Sequence, residues 1–210
     1  MYTLYGAQGA GSAMVEMALR WTGRPYEIVT AASWEPGPGL EALRRVNPLA
    51  QVPTLVRPDG GVLTESAAIL VSLGLEHPAS GLLPEAPAER AQAIRGLVWV
   101  AANCYAAIGV IDYPERWLPS GSDEAACEAL RAGTRARLHG LWEQFADTFP
   151  ARPFLGGDQP DALDLMACVV SQWSGARPHL ARARPAFAEL LGRIDRHPKV
   201  ADTLASHWPR

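Results

Sequence analysis

The chain has 210 residues, 48% of them hydrophobic, enough to bury a core of one large or two small domains. Nineteen Lys and Arg against 22 Asp and Glu leave a net charge of −3 with both signs interspersed, which supplies no electrostatic footprint for nucleic acid or an anionic membrane. No apolar run is read as reaching the length of a membrane span, and the start Met1-Tyr2-Thr3-Leu4-Tyr5-Gly6 lacks the basic and apolar regions of a signal peptide. Cys104, Cys127 and Cys168 are too few and scattered for a disulfide framework or a zinc site, so a cytoplasmic location and no metal are expected.

Tyr2-Thr3-Leu4-Tyr5 reads as a short strand. Gly6 to Gly11 is a flexible loop, Ser12 is the expected N-cap, and an apolar-rich helix runs from Met14 to Thr22-Gly23. Tyr26 to Thr30 alternates as a second strand. Strand, helix and strand in so short a stretch imply a right-handed parallel unit. Leu40 to Val46 is a shorter helix. Gln51-Val52-Pro53 then leads into a strand at Thr54, Arg57-Pro58-Asp59-Gly60-Gly61 turns it back, and Val62-Leu63-Thr64 runs antiparallel to it. Glu65-Ser66 opens a third helix. The order β-α-β-α-β-β-α is that of a thioredoxin-like domain, placed at residues 1–78, with 79–87 as a proline-rich linker.

Everything beyond the linker reads as helix, giving an α/β half followed by an all-helical half, residues 88–210. One long helix is expected from Glu89 to about Tyr113, ended by Pro114, and a second from Glu124 to Phe149. Asp161 and Asp164 have the spacing of a capping box at the start of a buried helix through Val170. Pro185 to Arg196 and a tail to Trp208 finish the chain.

The chemistry concentrates at Val52-Pro53 and Glu65-Ser66. A cis bond before Pro53 would turn the chain and leave the Val52 N–H and C=O unpaired, free to bind an extended peptide backbone. Beside them, the first amides of the Ser66 helix suit a carboxylate. A short anionic peptide fits both.

The run V-P-T-L, a hairpin, then E-S-A-A-I resembles the glutathione-binding half of the glutathione S-transferases, in the bacterial type but without the cysteine of its beta class, since Gly11 stands at that position. The resemblance implies conjugation of glutathione, a co-substrate and not a bound cofactor, to a small hydrophobic electrophile, with a role in detoxification and a homodimeric assembly. It implies that Gln51, Val52, Pro53, Glu65 and Ser66 hold glutathione together with Gly11, and that Asn103 reaches the partner's glutathione across the dimer. Ser12 is the first candidate to stabilise the thiolate and Tyr5 the second, with the amides of Ala10, Gly11 and Ser12 as a third source of donors. Tyr105 is expected in the second-substrate pocket, where Trp99, Trp117, Trp173 and Trp208 could form a wall. Other glutathione-dependent chemistry (isomerase, peroxidase or lyase) and a non-catalytic binding or regulatory protein remain the alternative expectations.

Overall fold

The computed structural model of the chain describes residues 1–209. Its first half is a mixed sheet of order β2-β1-β3-β4 flanked by helices. β1 (Tyr2–Gly6) runs parallel to β2 (Tyr26–Thr30), with Tyr2 opposite Tyr26, and antiparallel to β3 (Thr54–Val56), which pairs with β4 (Val62–Leu63). The crossover helix α1 (Ser12–Thr22) ends at Gly23, whose positive φ of 66° closes it in the left-handed conformation glycine tolerates. α1 is buried on every face from Ser12 to Leu19, because it lies between the sheet and helices of both halves. α2 (Pro38–Val46) opens on proline. A side chain at Gly39 would put its Cβ 1.9 Å from the Thr30 carbonyl oxygen, so only glycine lets α2 approach the end of β2. α3 (Ser66–Glu76) completes the thioredoxin-like order.

In the helical half the expected single helix is interrupted. α4 (Pro87–Trp99) passes into a π-helical segment, Val100–Tyr105, and then into α5 (Ala106–Asp112). A hydrophobic repeat does not reveal this widening, since one extra residue per turn shifts the pattern too little to register. The continuous helix Pro87–Asp112 is also long enough to cross a membrane, and an 18-residue stretch within it has a mean hydropathy of 1.6, which corrects the sequence reading. It buries Leu97, Val100, Cys104 and Ile108 and packs on α6 (Glu124–Thr148) and α7 (Ala162–Val170), the setting of a core helix.

Asp161 and Asp164 form the capping box at the start of α7. Asp164 accepts hydrogen bonds from the amides of Leu155 (2.9 Å), Gly156 (2.9 Å) and Asp161 (3.0 Å), so one carboxyl stitches the preceding loop to the helix. α8 (Ala176–Ala183), absent from the sequence reading, follows the left-handed pair Ser174-Gly175. α9 (Pro185–Asp195) and α10 (Ala201–His207) close the fold. One buried apolar cluster runs from Leu4 and Leu55 through α1 and α7 to Trp142 and Phe145.

Candidate active site

Where the two halves meet, a cleft of about 700 Å³ opens, the size of a pocket for a small organic molecule. The α/β half contributes three loops to it: Gly9 to Gly11 ahead of α1, Gln51 to Pro53, and Thr64 to Ser66. The helical half contributes Tyr105, Ile108, Asp112, Tyr113 and Trp173. Ser33 and Trp34, from the loop after β2, line the same space.

The Val52-Pro53 peptide bond is cis. Among the described residues, neither the N–H nor the C=O of Val52 has a hydrogen-bond partner. The turn is braced from behind by two buried polar side chains. Thr54 Oγ1 donates to the Gln51 carbonyl (2.8 Å), and Asn47 Nδ2 donates to the same carbonyl (3.2 Å) and to Thr54 Oγ1 (2.9 Å). Neither Asn47, one residue past the expected helix Leu40 to Val46, nor the Thr54 side chain is among the site residues expected from sequence. Their bracing partners lie within seven residues, so a buried polar pair around V-P was the available signal.

At the third loop Glu65 has φ +61°, a conformation costly for a side-chain-bearing residue, by about 1–3 kcal/mol. It turns the chain so that α3 starts at the cleft with no side-chain cap and no acidic residue in its first turn. Its free amides and positive dipole end therefore face the cleft beside the buried Ser66 hydroxyl. Such an arrangement suits a carboxylate.

The start of α1 differs from expectation. Gly11, not Ser12, is the cap residue, and Ser12 is the first helical residue. Its hydroxyl, 2% exposed, accepts from the Ala7 amide and donates to the Ala7 carbonyl, both at 3.1 Å. A Cβ at Gly6 would lie 2.6 Å from this hydroxyl, so Ser12 fills the space over Gly6, and it does not line the cleft. Tyr5 is half-buried against Ala31, Leu40 and Leu43 and is likewise off the cleft surface. Asn103 donates to the Trp99 carbonyl (3.0 Å) and is not part of its own chain's cleft. Of the four tryptophans considered, Trp173 lines the cleft, Trp208 packs on Trp173, Trp99 packs on Phe149, and Trp117 is exposed.

The C-terminal segment braces the Gly9 loop. The Gly9 amide donates to His207 Nδ1 (3.2 Å), leaving Nε2 to donate to Glu16 Oε2 (3.0 Å). Gln8 Nε2 donates to the Ser206 carbonyl at 2.9 Å. The hydrogen bond from His207, with the charge and hydrogen bond of Arg20, holds the Glu16 carboxyl below its ordinary range against the opposing effect of burial. Within the cleft, burial pushes the Tyr105 phenol up to about 12, with the carboxylates of Asp112 and Glu65 adding to the rise and the Gly11 amide opposing it. Burial raises the Asp112 carboxyl as well.

Comparison with known proteins agrees with this geometry. The family model "Glutathione S-transferase, N-terminal domain" matches residues 12–74. An uncharacterized GST-like protein of Escherichia coli, YncG, is 29% identical over 97% of both chains. A glutathione S-transferase of Methylobacterium radiotolerans, solved in complex with glutathione sulfonate, is 29% identical, with a TM-score of 0.76 over 96% of this chain and 93% of that one. A glutathione transferase homolog from Sulfitobacter, solved with bound glutathione, shares the fold with a TM-score of 0.83 at 22% identity over 97% of each chain. An α/β half whose open main chain suits a short anionic peptide, a helical half closing the cleft, and these relatives agree: residues 12–74 match the N-terminal domain of the glutathione S-transferases, and the chain along nearly its whole length is similar to proteins of that family.

Proposed function

We propose that the protein conjugates the thiolate of glutathione to a small apolar electrophile. The observation that carries this reading is the adjacency, in one cleft, of the unpaired Val52 main chain and the uncapped start of α3. Glutathione paired on Val52 would place its γ-glutamyl carboxylate on the Ser66 amide and hydroxyl and its ammonium toward Glu65, with Gln51 near the glycyl end. Its free thiol has a pKa of about 8.5, so a few per cent is thiolate at neutral pH. Lowering that value by about two units takes only about 2.7 kcal/mol, within reach of one hydroxyl donor and the amides at the start of α1. In the transfer, the proton goes to solvent and the sulfur forms a bond to an electrophilic carbon. The leaving group departs with its bonding electron pair. Ile108, Tyr113, Trp34 and Trp173 form the largely apolar wall on which the electrophile would rest.

The same reading takes the protein to be a cytoplasmic homodimer, with Asn103 serving the partner's site. Exposed Val62 and Val98 are apolar surface available for such a contact. The test is titration of bound glutathione by the ultraviolet absorbance of its thiolate, together with conjugation of an aryl halide. A bound thiol ionising well below its free value, with turnover, is expected. Binding with an ordinary thiol pKa and no turnover would make the protein a glutathione-binding module, and no binding would overturn the site.

A further inference from the structure

The start of α1 has no side chain of its own in the cleft. Gly11 has none, and the Ser12 hydroxyl is committed to Ala7 in both directions. Yet the space beside Gly11 is filled. A Cβ built on Gly11 would lie 2.2 Å from the Tyr105 hydroxyl oxygen and 3.1 Å from its Cζ. Tyr105 is the last residue of the π-helical segment, and its ring rests against Trp173 with centroids 5.5 Å apart. The helical half thus delivers a phenol to the point on the α/β half where a side chain of residue 11 would stand.

We propose that Tyr105 is a catalytic residue whose hydroxyl, donated across the cleft from the π-helical segment, stabilises the glutathione thiolate in place of any side chain on α1. The inference rests on the reading that glutathione lies along Val52 and Ser66. A peptide so held has its cysteinyl side chain on the side of the Gly11 loop, which lines the same cleft. The polar group that meets the Tyr105 hydroxyl is the Gly11 amide, itself a donor, so the O–H is left to point at an anionic sulfur. With its pKa pushed up to about 12 by burial and by nearby carboxylates, the phenol keeps its proton at neutral pH and acts as a donor, not a base. The thiol proton leaves to solvent before attack. The sulfur–carbon bond then forms as the leaving group departs with its electron pair, and the phenol is unchanged. The wide π turn and the Trp173 ring fix where the donor stands, as preorganised stabilisation of charge requires.

The decisive experiment is thiolate titration of glutathione bound to the wild type, Tyr105→Phe and Ser12→Ala, alongside glutathione affinity and the pH profile of kcat/KM. Tyr105→Phe should bind glutathione within about threefold of wild type and raise the bound thiol pKa by about one unit, a roughly tenfold loss of thiolate and of kcat/KM at neutral pH. Ser12→Ala should leave the thiol pKa in place. If Tyr105→Phe titrates like wild type, or only Ser12→Ala shifts the profile, the assignment of Tyr105 is overturned while glutathione binding stands. If the wild type binds no glutathione, both readings fail together.

Discussion

The two halves build the cleft from different materials. The α/β half offers main chain: the Val52 N–H and C=O, the amides at the start of α3, and the loop ahead of α1. The helical half offers side chains: Tyr105, Ile108, Tyr113 and Trp173. Main-chain donors and acceptors are the same whatever residue carries them, so they suit a ligand that never changes. Their placement demands special backbone, and it is found there in the cis bond before Pro53 and the positive φ of Glu65. Side chains on helices can change size and chemistry without moving the backbone, which suits a wall facing variable electrophiles.

The largest perturbation asks whether the halves are separable as folded units. Asp164→Ala removes the acceptor for three amides and should cost about 3 kcal/mol or more, read from urea unfolding. Because one apolar cluster spans both halves, the tryptophan fluorescence and circular dichroism transitions should shift together. Separate transitions, with the sheet surviving longer, would show two independent cores.

Ser66→Ala sharpens the division of labour. It should weaken glutathione binding by about 1–3 kcal/mol through the lost bond to a charged group, with the KM for the electrophile nearly unchanged. Equal losses for both substrates would mean that the halves do not divide the work in this way.

The smallest effect concerns the brace between α10 and the Gly9 loop. Glu16 is held below its unfolded value of about 4.5, chiefly by the hydrogen bond from His207. Its contribution to stability is therefore present above that value and lost as pH falls through the lower, folded one. Glu16→Gln should flatten the acid limb of stability below about pH 4.5, measured by thermal melts across that range. An unaltered acid limb would show that the carboxylate contributes nothing to the brace.

Legibility in the sequence followed the same division. The V-P and E-S motifs and the Asp161 and Asp164 box were readable because each works through a few neighbouring residues. The resemblance put the Ser12 hydroxyl at the thiolate because the family places its catalytic group at the start of this helix; its turn back to Ala7 depends on the close approach of Gly6. The π turn at Val100–Tyr105 hid inside an apolar pattern that an α-helix fits equally well. Trp34 was not anticipated, because its place in the cleft depends on how a loop crosses space.

The amino-acid order alone determined the strand and helix succession of the α/β half, the glycines and prolines at its corners, and the two short motifs that open the main chain, since all are set by contacts along the chain. Tertiary structure alone decided which hydroxyl stands over Gly11 and that His207 secures Gly9. Those contacts join positions about one or two hundred residues apart, and their distances exist only once α1 has been enclosed between the sheet and the helices.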